Sequence, residues 1–333
     1  MSILKRMIVI LGILLVISAA VLAGGSLLSL DWDREHTARS AALPLYSQAS
    51  PDGLVRIQAN GMSFRARVAG LSSTGPGLIM LHGFPETSAM WVPLMEAAVA
   101  AGYRVVAFDQ RGYSPGARPE GVESYLVPDL MGDALAIAEA AGFERFHLVG
   151  HDWGCVVGWG VAIQNPELLH SWTGLSIPHP GTLLADLRRD PPTYIRVFTA
   201  PWIPEIMLSF NGMAQLRAGY EAMTDKQREE YLAVFSEPGA LTATLNWYRA
   251  ITAGLDRGNE ISGPVSVSTL FIWGKREFWV TPDALVRQRE LATGPYTELE
   301  LDAGHFVLQE QTRAAVAAVM DHLRQTDPAP PSR

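Results

Sequence analysis

Short apolar runs alternate with stretches of helical spacing along most of the chain, from about residue 54 onward. Apolar runs of about four to eight residues predict buried strands, whereas apolar residues three or four positions apart predict helices. The runs that predict strands are 55–58, 62–68, 77–81, 104–108, 146–149, 171–177, 269–273 and 297–301. Strands that alternate with helices are typical of a mostly parallel sheet with helices on both faces, so we predict an α/β fold.

The alternation is interrupted between residues 180 and 264, where aromatic and helical segments follow one another. Thr224 and Gln227 stand in the pattern of a capping box, which opens a helix. Because strands resume only near residue 269, we predict a helical cap at about 180–264, inserted between two late strands. The α/β domain is then expected to span residues 54–325, and the proline-rich residues 326–333 predict a disordered tail.

The beginning of the chain differs from the rest in its apolar content. Lys5 and Arg6 precede a nearly uninterrupted apolar run from Met7 to Leu30, long enough to cross a bilayer core of about 30 Å as a helix. We predict that residues 1–30 form a transmembrane signal anchor and that residues 31–53 link it to a body on the non-cytoplasmic side of the membrane. The alternative is a signal peptide cleaved near Ala23, which would yield a secreted or periplasmic protein.

Charge and cysteine content exclude some classes of partner. The net charge of −8 argues against nucleic acid, because phosphate binding needs a positive surface. The single cysteine, Cys155, cannot form an intrachain disulfide, and the chain has no paired Cys and His pattern that would predict a metal site. The sequence pattern does not determine the oligomeric state.

The fifth predicted strand is followed directly by Gly-His-Asp-Trp-Gly at 150–154 and then by a helical stretch. A strand, G-x-nucleophile-x-G and a helix together form a nucleophile elbow, here with Asp152 where serine is more common. The helix N-terminus stabilises negative charge, and a carboxylate suits attack on a saturated carbon that bears a leaving group. We therefore predict that Asp152 is a covalent nucleophile, with a helix N-cap as its alternative role.

A second loop is expected to complete an oxyanion hole beside the elbow. His-Gly-Phe-Pro-Glu at 82–86 follows a predicted strand, where α/β-hydrolases place one of the two amides that stabilise an oxyanion. The other amide belongs to the residue after the nucleophile. The candidates are therefore the backbone amides of Phe84 and Trp153.

Two later loops carry the candidate base and the acid that orients it. His305 follows the last predicted strand, in the chain order nucleophile, acid, histidine that this fold uses. Glu277 follows strand 269–273 and is the candidate acid, because the loop after strand 171–177 contains no carboxylate. The alternative for Glu277 is a surface ion pair with Lys275 or Arg276.

These motifs, with Asp-Gln-Arg-Gly-Tyr at 109–113, resemble the epoxide hydrolase and haloalkane dehalogenase branch of the α/β-hydrolases, over roughly Leu54 to Leu323. In epoxide hydrolases, two cap tyrosines hold and protonate the epoxide oxygen. Asn-Trp-Tyr-Arg at 246–249 resembles the segment that carries one of them and implies this role for Tyr248. Residues 194–201 resemble the segment that carries the other, with threonine where glutamine is usual, and imply Tyr194.

Two departures from the family pattern bear on the reaction. The acid loop usually carries aspartate, whereas this chain has Glu277, as is reported for microsomal epoxide hydrolases. Haloalkane dehalogenases usually place asparagine where this chain has Phe84, which leaves Trp153 as the one halide donor. The resemblance therefore favours an epoxide hydrolase over a haloalkane or haloacid dehalogenase. A small-molecule-binding protein of this fold is the least favoured alternative.

The resemblance implies that an apolar epoxide is converted to a vicinal diol through an ester on Asp152. Water activated by His305 hydrolyses that ester, and the reaction needs neither a metal nor a cofactor. Several ring-bearing side chains are expected to bind the substrate: His82, Trp153, Trp202, Trp247, Phe278 and Trp279. Met207 and Phe210 are further candidates for the wall of an apolar pocket.

Overall fold

The computed structural model describes residues 34–189, 191–256 and 261–327 of the chain. The predicted anchor, residues 1–30, lies outside the described residues, as do residues 328–333 of the predicted tail. Within the described ranges, no helix combines the length and the apolar character needed to cross a membrane.

A single sheet of eight strands forms the centre of the described chain. The strands are β1 (Gly53–Ala59), β2 (Met62–Ala69), β3 (Gly77–Leu81), β4 (Arg104–Phe108), β5 (Phe146–His151), β6 (Leu169–Leu175), β7 (Thr269–Gly274) and β8 (Tyr296–Leu301). Their order is β1-β2-β4-β3-β5-β6-β7-β8. Strand β2 is antiparallel to β1 and β4, and the remaining pairs are parallel. The predicted α/β fold with a mostly parallel sheet is confirmed.

Helices pack around this sheet. In chain order, those of the described residues are α1 (Arg34–Ala41), α2 (Val92–Ala100), α3 (Val127–Ala140), α4 (Trp153–Gln164), α5 (Pro180–Arg189), α6 (Thr193–Thr199), α7 (Ile203–Gly219), α8 (Asp225–Phe235), α9 (Ala240–Asp256), α10 (Pro282–Leu291), α11 (Val307–Glu310) and α12 (Thr312–Thr326). Helix α4 packs against the central strands β3, β5 and β6. Its side chains from Trp153 to Ala162 are buried, so this helix anchors the elbow in the core.

Helices α5 to α9 lie between β6 and β7 in the chain, where the sequence predicts a cap. The predicted capping box at the start of α8 is confirmed, because Thr224 accepts a hydrogen bond from the amide of Gln227 while the side chain of Gln227 accepts one from the amide of Thr224. Helix α7 is interrupted at Phe210–Met213, where the backbone leaves helical geometry. The cap meets the core through aromatic contacts such as Phe84 with Phe235, whose ring centroids lie 5.5 Å apart.

The segment predicted as a linker, residues 31–53, is in part ordered against the body. Residues 34–41 form α1, in which Ser40 is buried. The Nδ1 atom of His36 lies 2.5 Å from Oε1 of Glu237 in the cap. The amide of Tyr46 donates to the carbonyl of Arg56 in β1. Residues 34–46 of the predicted linker thus contact the folded body through side-chain and backbone partners that are distant in sequence.

Candidate active site

The elbow is a strained turn between β5 and α4. Asp152 has φ 51° and ψ −119°, a conformation that non-glycine residues rarely adopt and that costs about 1–3 kcal/mol. Two glycines allow it: a Cβ on Gly154 would lie 2.1 Å from the carbonyl oxygen of Leu81, and a Cβ on Gly150 would lie 2.4 Å from the carbonyl oxygen of Gly154. The motif thus raises Asp152 above the carboxyl end of the central strands.

The two sides of the Asp152 carboxylate meet different partners. The amide of Phe84 donates to Oδ1 at 2.8 Å, and the amide of Trp153 also hydrogen-bonds to the carboxylate. A Cβ on Gly83 would lie 2.3 Å from Oδ1, so the loop can approach this closely only because residue 83 is glycine. The predicted oxyanion amides therefore both contact Asp152. Since Oδ1 is held by the loop, Oδ2 is the oxygen that remains for chemistry.

His305 and Glu277 complete a hydrogen-bonded chain to Asp152. Nε2 of His305 lies 3.5 Å from Oδ2 of Asp152, and Nδ1 of His305 donates to Oε2 of Glu277 at 2.5 Å. The side chain of Glu277 is fully buried, and its other oxygen accepts a hydrogen bond from the amide of Trp279. The structure thus brings together the predicted nucleophile, base and acid.

The alternative partners proposed for Glu277 are engaged elsewhere. Arg276 pairs with Asp302 at 2.6 Å and with Glu310 at 3.0 Å. The ammonium group of Lys275 lies 4.0 Å from the carboxylate of Glu300. The Glu277 carboxylate therefore faces inward, toward His305.

Asp152 and His305 shift each other's pKa. Burial by itself would raise the pKa of Asp152, but the hydrogen bond and the positive charge of His305 outweigh it, and the pKa lies below its ordinary value. Burial by itself would lower the pKa of His305, but its hydrogen bonds to Asp152 and Glu277 hold that pKa well above its ordinary value. The resting site is therefore an ion pair of carboxylate and imidazolium.

Two residues that the sequence analysis did not single out hold the His305 loop. Nε2 of His151 and the hydroxyl of Ser176 both donate to the carbonyl oxygen of His305, at 2.9 and 2.6 Å. Ser176 has φ 73°, a strained value for serine. Both residues follow the pattern of a polar side chain at the carboxyl end of a central strand, which is the signal that could have identified them.

A cavity lies above Asp152, between the core and the cap. Tyr194 and Tyr248 line it together with Asp152, and the centroids of the two phenol rings lie 6.5 Å apart. Burial first and the Asp152 charge second raise the pKa of both phenols, so they stay protonated and can donate hydrogen bonds. The remaining wall is apolar: Val156, Ile177, Leu183, Leu187, Ile195, Ile251 and the indoles of Trp153 and Trp279.

Four of the side chains predicted to bind substrate do not line this cavity. His82 is buried below the site, where Nδ1 donates to the Gly83 carbonyl and Nε2 accepts from the Gln110 amide. Trp247 is also buried, and its indole donates to the carbonyl of Arg111. Both rings therefore stabilise the fold through hydrogen bonds to the backbone.

The other two side chains point away from the cavity into solvent. Trp202 is 67% exposed and Phe278 is 58% exposed. Met207 and Phe210, also predicted in the pocket wall, are exposed as well. Phe278 packs against the outer side of Tyr194, with ring centroids 6.2 Å apart. An aromatic residue type does not reveal the direction of its side chain, because neighbours distant in sequence decide it.

Among the described residues, no group of three or more His, Cys, Asp or Glu side chains is arranged to hold a metal ion. Cys155 is buried in α4, where burial raises the pKa of its thiol. This cysteine therefore belongs to the core packing beneath the elbow.

Comparisons with known proteins agree with this arrangement. The model of the alpha/beta hydrolase fold family matches residues 76–312. The chain is similar to AB hydrolase superfamily protein YfhM of Bacillus subtilis, with 31% identity over 80% of this chain and 96% of that protein. It is also similar to human epoxide hydrolase 4, with 30% identity over 77% of this chain and 74% of that protein.

A solved structure shows the same likeness in three dimensions. The crystal structure of epoxide hydrolase A from Mycobacterium thermoresistibile superposes with a TM-score of 0.70 and 28% identity. The match covers 82% of this chain and 98% of that chain. The likeness thus covers nearly the whole of that chain.

Proposed function

Because the chain belongs to the α/β-hydrolase fold family and to its epoxide hydrolase branch, we propose that it hydrolyses apolar epoxides to vicinal diols through an ester on Asp152. One observation carries this proposal. Asp152 and the two phenols of Tyr194 and Tyr248 line the same apolar cavity. A nucleophile and two proton donors are the groups that opening an epoxide ring requires.

In the first step, Oδ2 of Asp152 forms a bond to an epoxide carbon while the bond from that carbon to the ring oxygen breaks. The ring oxygen takes a proton from Tyr194 or Tyr248, the two phenols that line the cavity beside Asp152. The Asp152 charge is one reason that the pKa of each phenol is raised. That charge disappears as the ester forms, so the phenols become more acidic when the proton is needed.

In the second step, His305 takes a proton from water, and the water oxygen attacks the carbonyl carbon of the Asp152 ester. The ester removes the Asp152 charge that helps to keep His305 protonated, so the imidazolium gives its proton by way of water to the phenolate left by ring opening, and the neutral imidazole can act as base. The amides of Phe84 and Trp153 stabilise the oxyanion. The ester bond to Oδ2 then breaks, the alcohol takes the proton from His305, and the carboxyl proton of Asp152 passes to His305, which restores the resting ion pair.

The two phenols also favour an epoxide over a halide as the leaving group. An epoxide oxygen leaves as a strongly basic alkoxide and needs a proton, whereas a halide needs only hydrogen-bond donors such as an indole. Tyr248 packs edge-on against Trp153, with ring centroids 5.0 Å apart, so both kinds of donor are close to Asp152. Release of halide without opening of any epoxide would support a dehalogenase instead.

A single turnover in water enriched in the heavy oxygen isotope tests the proposal. The attacking water leaves its oxygen on Asp152, while the diol carries the former Oδ2 atom, so the label is expected in a peptide that contains Asp152. A label found only in the diol would mean that water attacks the epoxide directly. In that case Asp152 would act as a base and would not form an ester.

We also propose that residues 1–30 anchor this enzyme in a membrane, with the catalytic domain on the non-cytoplasmic side. The apolar run from Met7 to Leu30 and the preceding Lys5 and Arg6 support this proposal. Fractionation of the full-length protein with membranes, and digestion of its body from the non-cytoplasmic face, are the expected results. A soluble mature protein that begins near Gly24 would support a cleaved signal peptide.

A further inference from the structure

The first part of α7 has an unusual distribution of apolar side chains. The side of a surface helix that faces solvent is normally polar. Here Trp202, Ile203, Met207 and Phe210 are each between 41% and 67% exposed. Leu208, in the same helix, is also apolar and is buried. A soluble monomer rarely leaves such a contiguous apolar surface uncovered.

Charged side chains do not interrupt this apolar surface. Between residues 202 and 210 the one charged residue is Glu205. Its carboxylate is bound by the guanidinium group of Arg249 at 2.9 Å, and both side chains are largely buried. The surface formed by Trp202, Ile203, Met207 and Phe210, called the cap patch below, therefore has no exposed charge from its own segment.

The cap patch is close along the chain to a residue that lines the active-site cavity. Helix α6 is about 10 Å long, and it connects Tyr194, which lines the cavity, to the turn before Trp202. Arg249 also donates to the carbonyl of Ala200, which ties this turn to α9, the helix that carries Tyr248. Phe278 is a further exposed apolar side chain, and its ring centroid lies 6.2 Å from that of Tyr194.

The N-terminal segment joins the body on the same side. Only residues 31–33 separate the apolar run, which ends at Leu30, from the start of α1 at Arg34. Helix α1 is held to the cap by His36 and Glu237. An anchor at residues 1–30 would therefore keep the cap, and not the opposite edge of the sheet, close to the membrane surface.

We propose that the cap patch and Phe278 insert into the lipid bilayer, so that an epoxide dissolved in the membrane enters the cavity without crossing water. Apolar side chains without charges suit contact with the acyl region, and aromatic residues such as Trp202 suit the interface. The membrane contact itself does not depend on the chemistry at Asp152. Only the entry of an epoxide from the membrane rests on the proposed function.

Site-specific quenching in vesicles tests the contact. The full-length protein is reconstituted into phosphatidylcholine vesicles that contain lipids with a nitroxide on the acyl chain. An environment-sensitive fluorophore is attached to the substitution Met207→Cys, and the native Cys155 stays unlabelled because it is buried. The matched control is Ala140→Cys, an exposed position at the end of α3, just before β5 and thus at the edge of the sheet opposite to the elbow.

The cap label is expected to be quenched several-fold more strongly than the control label. Equal, weak quenching of both labels would mean that the cap patch lies in water and would overturn the proposal. Energy transfer between cap labels of different molecules, without quenching by the lipid, would assign the surface to a second copy of this chain and would also overturn it.

Kinetics give an independent readout of substrate entry. Met207→Glu places a charge in the patch, which is unfavourable in lipid, and should raise the apparent KM for a membrane-dissolved epoxide at least about tenfold. The kcat/KM for a water-soluble epoxide should stay within about twofold, because Met207 does not line the cavity. An equal effect on both substrates would contradict entry from the membrane. If the parent protein opens no epoxide, the proposed function fails, while the quenching result still decides the membrane contact.

Discussion

Two of the histidine–glutamate pairs in the described residues have the same short contact but lie in different regions of the molecule. In the active site, Nδ1 of His305 lies 2.5 Å from Oε2 of Glu277. Between the N-terminal segment and the cap, Nδ1 of His36 lies 2.5 Å from Oε1 of Glu237. Both glutamate side chains are fully buried. The pairs differ in what faces the second nitrogen of the imidazole.

His305 presents its Nε2 to the Asp152 carboxylate, 3.5 Å away. His36 presents its Nε2 to the guanidinium group of Arg65, which donates to it at 3.1 Å. Arg118 pairs with Glu237 on its other side. A histidine–glutamate pair is therefore a potential base only where its outer nitrogen is open to a reacting group. Where arginine side chains bind the outer nitrogen and the carboxylate, as at His36 and Glu237, the pair holds one part of the fold against another.

Replacing each histidine by glutamine should produce the largest contrast between the two pairs. His305→Gln removes the base of the second step, so steady-state turnover should fall by about three to four orders of magnitude, near the upper end of the range for acid–base catalysis. The ester on Asp152 should accumulate, which mass spectrometry of the intact protein would detect. His36→Gln should leave turnover within about threefold, because His36 contacts neither substrate nor Asp152. Equal losses in the two variants would contradict the distinction.

Replacing each glutamate by glutamine separates catalysis from stability. Glu277→Gln removes the charge that stabilises the His305 imidazolium, and turnover should fall by about two to three orders of magnitude. Glu237→Gln should leave turnover nearly unchanged but lower the free energy of unfolding by about 3 kcal/mol, because Arg118 and Arg65 lose a buried counter-charge. Stopped-flow kinetics and denaturant titration measure the two effects. Full activity in Glu277→Gln would exclude it as the acid.

Tyr248→Phe should slow the first step alone and thereby separate the role of this phenol from that of the His305–Glu277 pair, which acts in the second step. Loss of the phenol proton should slow ester formation by about one to three orders of magnitude while ester hydrolysis changes little. The double change with Tyr194→Phe should nearly abolish ring opening. Tyr125→Phe is the matched control, because that hydroxyl donates to the carbonyl of Pro119 and does not line the cavity. Unchanged ring opening in the double variant would mean that the two phenols only pack.

The pH dependence of ester formation should show the smallest effect. Asp152 must be ionised to attack, and its pKa is lowered, so the rate of ester formation should change by less than about twofold between pH 5 and 8. The stability that this lowered pKa contributes is present above about pH 4 and is lost as the pH falls through the folded value.

In His305→Gln the pKa of Asp152 should rise, because burial is no longer opposed by the imidazolium, and ester formation should slow toward acid. Stopped-flow measurement of Trp153 fluorescence would report the rate of ester formation in the parent and in His305→Gln. A flat profile in His305→Gln would contradict this coupling, and His36→Gln should keep the profile of the parent.

Several features of this protein could be predicted from local sequence. The strand–elbow–helix segment around Asp152 has a local signature, because the strained turn needs glycine at 150 and 154, where a Cβ would collide with backbone. His305 and Glu277 were located by their positions after strands whose order follows from the fold class. Strands and helices could be recognised because their periodicity depends on near neighbours in the chain.

Features that depend on contacts between distant segments could not be predicted. His82 and Trp247 were expected to touch substrate, but each is turned into the core by a backbone partner that lies far away in sequence, Gln110 and Arg111. Trp202 was expected in the cavity and lies on the surface of the cap.

The sequence by itself determined the α/β fold and the residues that could serve as nucleophile, base and acid. Only the tertiary structure decided which aromatic side chains line the cavity, and that residues 34–46 pack on the body although they were expected to be a linker. It also decided that His36 fastens the cap while His305 faces Asp152. The physical reason is that a motif records the backbone geometry of its own turn. The direction of a side chain and the partner of a buried charge depend on the packing of segments that meet only after the chain has folded.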